Sequence, residues 1–368
     1  MLLSICLAVY NQIDIVKENI EEIIKTDNKE IEIVISDDCS TELLYEMVQN
    51  FNDDRIKYYK TDKNRSHDEN IINGLLNCAG DYIFLFRSKD KIIHKEINNV
   101  LDIIKKNPKA SYFLFSALDE DGKPRLVLKD KVYHKNEEAQ LAHGWMMVHP
   151  SGQIYKRSML DIELYKQYIK NHFPKYNGCV VHQLIRMDLS LKGDFVTSSC
   201  FAWEYMHTYK SDKKSVISTS GKINIYAPFY QYQRYKCEWD LVVNEMPKKY
   251  KKVYIKQIIR DYIWRIVPMF YLFNLDKDCN MHYNSESMDF KPYKELWTFN
   301  KMTLKMIENM NYQDRGGVRE YLAFRTAITG FYFIPKVICK NFIYSHDVLK
   351  KFWFRIRKNR QTKDGLIS

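Results

Sequence analysis

Three short turns hold the residues best suited to chemistry, and each follows an apolar run. "AVYNQ" (Ala8 to Gln12) ends the first run, Asp37-Asp38 end the run "IEIVIS", and Arg87-Ser88-Lys89-Asp90 end "DYIFLF". Adjacent carboxylates at the end of a buried strand are costly as core and useful for binding, because they accept hydrogen bonds from ribose hydroxyls or a base N–H. A second use of the same stretch is helix capping: Asp38, Ser40 and Thr41 are good N-cap residues and Glu42 suits a first turn. The third turn has mixed charge, with two cations and one carboxylate in four positions.

The elements that must position these turns alternate from residue 1 to about 115. "LLSICLAVY", "IEIVIS", "RIKYYKT", "DYIFLF" and "ASYFLFSA" read as strands. Between them, "QIDIVKENIEEIIKT", "ELLYEMVQNF", "HDENIINGLLNCA" and "HKEINNVLDIIKKN" have helical apolar spacing. Continuous apolar strands separated by helices predict a parallel sheet covered on both faces, which binds ligands at the carboxyl ends of its strands. The pattern is mixed from about 120 to 235, where "HPSGQIYKRSML" reads as a loop leading to a strand and helix. "VVHQLIRMDLSLKG" reads as a helix ended by Gly193. Beyond about 238 the texture becomes long basic amphipathic helices. The expected domains are therefore 1–235 and 236–368.

Of the 368 residues, 45% are hydrophobic, enough for a sizeable core, and the net charge of +11 suits an anionic partner. That charge comes without an aromatic-basic recognition motif, which argues against nucleic acid. The 8 cysteines form no C-x-x-C pair and read as reduced thiols of a cytosolic protein. Met1 to Tyr10 lacks the basic region and cleavage site of a signal peptide. No run reaches the roughly 18 apolar residues of a membrane span, since "TAITGFYFIP" is interrupted by Pro335 and Lys336. The expectation is a soluble or peripheral protein.

In order and spacing, "SICLAVYNQ", "EIVISDDCSTE" and "NIINGLLNCAGDYIFLF" together resemble the blocks of the family-2 glycosyltransferases, over about residues 1–215. The resemblance implies the GT-A fold, an α/β Rossmann-like doubly wound mixed sheet, here followed by an α-helical C-terminal region. It also implies a nucleotide-sugar donor, with Ala8 and Tyr10 at the base, Asp37 at the base or ribose, Asn11 and Asp38 also in the donor site, and the turn after the fourth strand, with Arg87, Lys89 and Asp90, facing the diphosphate. Cys39 replaces the family's usual Gly, and Ile71-Ile72 stand where Arg-Asn is common. The family's metal-binding Asp-x-Asp falls on Arg87-Ser88-Lys89, leaving Asp90 as the remaining carboxylate. Hard cations need oxygen ligands, so Mn²⁺ or Mg²⁺ is disfavoured. Either Arg87 and Lys89 neutralise the leaving diphosphate themselves, or the site has decayed and both point to solvent.

"HPSGQIYKRSML" resembles the family's acceptor segment, in which Gly152 lets the acceptor lie against the backbone; Trp145 and His149 precede it. Registering "NGCVVHQLIRMDLSLKG" on Arg186 and Gly193 places His182 where the family has its Asp general base. An imidazole with a pKa near 6.5 is able to take a hydroxyl proton, and a hydrogen-bonded structural histidine is the alternative. "FAWEYMHTYKSDKKS" resembles a lid, with Glu204 and His207 on one face if helical. The terminal "DVLKKFWFRIRKNR" is a basic helix with an aromatic face, read as a membrane-surface element or as an oligomer contact. The function implied is inverting transfer from a UDP-linked sugar to a glycan or lipid-linked acceptor in bacterial surface-polysaccharide (capsule or lipopolysaccharide) synthesis, on the cytoplasmic side of the membrane. The alternative is a catalytically silent binding or scaffold subunit.

Overall fold

The computed structural model describes residues 1–65, 67–135, 139, 149–172, 181–206, 228–275, 292–346 and 348–349. Packing divides the chain into Met1–Tyr254 and Ile255–Ser368.

In the first unit the apolar runs are strands. They are β1 (Leu3–Val9), β2 (Ile31–Asp37), β3 (Ile56–Lys60), β4 (Tyr82–Arg87), the short β5 (Lys91–Ile92) and β6 (Ala110–Asp119). β7 (Pro124–Leu126), β8 (Lys131–Tyr133), β9 (Gln153–Lys156) and β10 (Asp194–Tyr205) follow. Their order in the sheet is β3-β2-β1-β4-β9-β6-β10-β5, with β7 beside β6 and β8 beside β10. β1, β2, β3 and β4 run parallel, whereas β9 is antiparallel to both β4 and β6. The sheet is therefore mixed.

Every residue of β2 is buried and nearly every residue of β1, as expected where helices cover both faces. Those helices include α1 (Ile13–Ile24), α2 (Leu44–Gln49), α3 (His67–Asn77) and α4 (Ile97–Lys106). α5 (Ile162–His172), α6 (Val181–Lys192) and α7 (Pro228–Glu245) complete the unit. The aromatic richness of the sequence goes into the core, where Phe84, Phe113, Phe115 and Trp203 have almost no exposed surface. The expected boundary at 235 runs through α7. That helix stays with the first unit through His172 Nε2 to Asp240 Oδ2 at 2.9 Å and Asn244 Nδ2 donating to Tyr168 Oη at 3.3 Å.

α8 (Lys248–Leu275) crosses from one unit to the other. The second unit continues with α9 (Pro292–Glu308), α10 (Tyr312–Arg315), α11 (Val318–Ile328), a π-helical turn Thr329–Phe333 and α12 (Ile334–Ser345). α9 is tied to the α11–α12 stretch by Asn300 Nδ2 donating to Thr326 Oγ1 at 2.7 Å and Tyr293 Oη donating to the Gly330 carbonyl at 3.1 Å. Pro335 does not interrupt this stretch as expected. It sits at the start of α12, just after the π-helical turn, where the missing N–H and the displaced carbonyl are accommodated. Tyr312–Cys339 consequently contains an 18-residue window of mean hydropathy 1.3, long and apolar enough by composition to cross a membrane. Of the terminal basic segment, only Val348 and Leu349 lie within the described residues, and both are exposed.

Candidate functional site

The carboxyl ends of β1, β2 and β4 lie side by side, with Ala8 opposite Arg87 and Val9 opposite Asp37. Leaving β1, Asn11 and Gln12 adopt left-handed φ of 57° and 68°, and leaving β2, Cys39 adopts 58°. At Cys39, where the resemblance expects Gly, this backbone costs a side-chain-bearing residue on the order of 1–2 kcal/mol. The two loops lock together. Asn11 N–H donates to Ser40 Oγ at 2.7 Å, Thr41 N–H to Asn11 Oδ1 at 2.9 Å, and Ile13 N–H to Glu42 Oε2 at 2.7 Å. Ser40, Thr41 and Glu42 thus tie down the entry to α1 from across the sheet; α2 itself begins after Leu43 with no side-chain cap.

Asp37 and Asp38 are both buried. Asp37 accepts from Ser40 N–H at 2.8 Å, from Ser40 Oγ and from Tyr58 Oη. Burial, then the contact with Asp37, pushes the Tyr58 hydroxyl pKa far up. Asp38 Oδ1 accepts from Arg65 N–H at 2.6 Å and Thr61 Oγ1 at 3.5 Å. The pair therefore braces the loops at the end of β2. Tyr10 beside it is exposed.

At the end of β4 the charged turn is a closed network. Arg87 Nε donates to Asp90 Oδ2 and Nη2 to Asp90 Oδ1, both at 2.8 Å. Ser151 Oγ donates to Asp90 Oδ2 at 2.5 Å and accepts from Arg87 N–H at 2.9 Å, while Met206 N–H donates to Asp90 Oδ1 at 3.2 Å. Burial alone would raise the Asp90 pKa, but Arg87, with help from His149 and Ser151, holds it below the usual value. Arg87 neither points freely to solvent nor stands alone: Asp90 fixes its planar fork, and its side chain keeps 30% of its surface exposed beside the Tyr205 ring. Because the pair is neutral as a unit, the net positive charge of this turn comes from the half-buried Lys89.

Histidines gather behind the network. His149 stacks on Trp203 at 5.3 Å and accepts from Ser151 N–H through Nδ1 at 3.2 Å, so its proton sits on Nε2, 3.7 Å from Asp90 Oδ2. Burial, reinforced by Arg87, lowers its pKa to about 3. His182, in the first turn of α6, is buried, and its Nδ1 has no hydrogen-bond partner among the described residues. Burial first, then His67, Arg234, Arg186 and His149, hold its pKa well below the ordinary value, so the ring is neutral. Asp188 does not serve it, being engaged with Tyr165 Oη and Lys192 Nζ. Instead the His182 ring meets the edge of His67 at 6.1 Å, and His67 Nδ1 lies 3.0 Å from the fully buried Asp68. Sequence reading took "HDENIINGLLNCA" only as a helix and missed His67. It also missed Ser151 and Tyr205, whose roles depend on partners more than 60 residues away.

Two acceptor-side expectations need correction. Gly152 does not leave room for a ligand: its φ is 80°, and a Cβ there would stand 2.1 Å from Trp203 Nε1, so the indole already fills that space. Glu204 lies in β10, not on a helix. Since side chains alternate along a strand, Trp203 and Tyr205 face His149 while Glu204 faces the other way. There it lines a groove of about 370 Å³ with Glu18, Glu22 and Lys91. Trp145 and His207 lie outside the described residues.

The divalent metal common in the resembled family does not fit this turn. Arg87 and Lys89 supply no oxygen ligand, and both Asp90 oxygens are already held by four protein donors. Among the described residues no three His, Cys, Asp or Glu side chains cluster as metal ligands.

Comparison with known proteins agrees with this architecture. Residues 4–162 match the glycosyl transferase family 2 model. The chain is 25% identical over 166 residues to a GalNAc(5)-diNAcBac-PP-undecaprenol beta-1,3-glucosyltransferase of Campylobacter jejuni, covering 43% of this chain and 53% of that one. It thus spans about half the length of that curated relative. Among solved structures, S. aureus TarS 1-349 in complex with UDP-GlcNAc superposes with a TM-score of 0.59 at 15% identity, covering 89% of this chain and 88% of the other. The complex of the same protein with UDP gives 0.58 at 15% identity over the same shares. At that identity the likeness concerns the fold. The segment 4–162 thus matches glycosyl transferase family 2, and the fold is that of the GT-A glycosyltransferases.

Proposed function

We propose that the protein is an inverting, metal-independent glycosyltransferase that moves a sugar from a UDP-linked donor to a lipid-linked glycan during bacterial surface-polysaccharide synthesis. One observation carries the metal-independent part: Arg87 is fixed on Asp90 at the carboxyl end of β4, where a doubly wound sheet receives its ligand. The lipid-linked acceptor is supported by the name of the Campylobacter relative, whose substrate carries undecaprenol. Such an acceptor would be met at the inner face of the cell membrane.

In this reading the acceptor hydroxyl oxygen attacks the anomeric carbon as the bond to the nucleoside diphosphate breaks, and its proton passes to a histidine. The diphosphate leaves with charge that Lys89 and the exposed part of Arg87 offset, a contribution of about 2–4 kcal/mol in comparable sites. Ala8, Tyr10, Asn11, Asp37 and Asp38 form the nucleoside end. His182 is the assigned base: its ring is neutral, and its buried Nδ1 has no hydrogen-bond partner among the described residues. A second assignment, His67, is favoured because that ring is 32% exposed and backed by Asp68, as a histidine base usually is.

The two assignments separate by substitution. His182→Ala is expected to lower kcat by about 10²–10⁴-fold with donor affinity retained. If His182→Ala keeps its turnover while His67→Ala loses it, the base is His67. The function itself is tested by screening nucleotide sugars for hydrolysis and transfer with and without EDTA. Turnover insensitive to EDTA is expected, and absence of any donor binding would establish the silent scaffold instead.

A further inference from the structure

The second unit presents an aromatic surface that the transferase reading does not use. Within Tyr312–Cys339 only 17% of the apolar window is buried. The buried side is Val318, Leu322, Thr329 and Ile334, the last packed with Leu296 of α9. On the open side, Phe324, Phe331, Tyr332 and Phe342 are exposed, Phe331 by 88%. Tyr293, bonded to the Gly330 carbonyl, and the 71% exposed Trp297 extend the aromatic surface onto α9. Residues 312–346 carry five basic side chains against two acidic ones, and the sequence continues into "LKKFWFRIRKNR".

From this we infer that the α11–α12 face is an anchor lying in the surface of an anionic lipid bilayer. Large aromatic side chains flanked by Lys and Arg are the composition of an interfacial helix, whose apolar face enters about 5–10 Å into the headgroup boundary. A spanning helix is disfavoured despite sufficient length, because Val318, Leu322, Thr329 and Ile334 hold the other side onto the protein. Charge selects the partner: the excess of basic over acidic residues in 312–346 complements anionic lipid and disfavours a second copy of the same stretch. The inference complements the lipid-linked acceptor but does not depend on it, since its test involves no sugar transfer.

The test is co-sedimentation of the full chain with vesicles of phosphatidylglycerol and phosphatidylethanolamine, compared with phosphatidylcholine alone. Binding is expected to the anionic vesicles, weakened by 0.5 M salt. It should fall about tenfold or more in the combined Phe324→Ser, Phe331→Ser, Phe342→Ser variant, with the helical circular dichroism unchanged. Should the triple variant misfold, Phe331→Ser alone should still weaken binding severalfold, because its side chain supports no packing. Wild-type protein that ignores anionic vesicles, or variants that bind them equally well, would overturn the inference. A wild-type dimer that the substitutions dissociate, without vesicle binding, would assign the face to a second copy.

Discussion

Arg87 and Lys89 divide their work in a way that predicts different consequences for their removal. Arg87→Ala leaves Asp90 buried without its main counter-charge, which should destabilise the fold by about 3–5 kcal/mol in denaturant melts. Lys89→Ala removes a half-buried cation rather than the counter-charge of a buried carboxylate, so it should cost less stability than Arg87→Ala while weakening donor binding about tenfold by calorimetry. Equal effects on stability would contradict the division. His149 sets a pH dependence of folding. Its pKa is about 3 when folded against 6.5 unfolded, so the unfolded chain binds the extra proton and stability is lost as pH falls below 6.5. By pH 5 this histidine alone should have removed about 2 kcal/mol, and buried His182 shifts the same way. Thermal melts at pH 7 and pH 5 should show the loss, and His149→Gln should reduce it. The charge reversal at 87 and 89 was legible from residue types alone. The grip of Asp90 was not, because Ser151, His149 and Met206 reach it from segments 59 or more positions later.

At the level of elements, the strands were readable because sheets buried on both faces demand uninterrupted apolar runs. The loops were not. Ser40, Thr41 and Glu42 look like caps for the helix that follows them, yet they serve Asn11 and Ile13 on another strand's turn. Gly152 is the sharper case. Sequence spacing makes it an acceptor-side glycine, whereas its left-handed backbone and the Trp203 indole above it make it a packing requirement. Gly152→Ala should lower the melting temperature by several degrees and disturb His149, which stacks on the same indole. A variant as stable and as active as the parent would show that the indole can yield. Glu204 would share a face with His207 only in a helix; "FAWEY" suits a strand as readily, and β6 pairing decides for the strand.

Across the whole molecule, the segment that matches family 2 lies within the first unit, and a helical, aromatic-rich unit follows it. Composition announced a basic protein with an anionic partner but could not distribute that charge. The structure puts a cationic turn at the sheet of the first unit and exposed aromatic side chains on the α11–α12 stretch of the second. If the first is a substitute for a metal, nucleotide binding must not need one. The most direct measurement is calorimetric titration of UDP into the full chain, once in EDTA and once in Mn²⁺. Dissociation constants agreeing within about twofold are predicted, since a 1.4 kcal/mol metal contribution would separate them about tenfold. Binding that appears only with Mn²⁺ would contradict the assignment of Arg87 and Lys89.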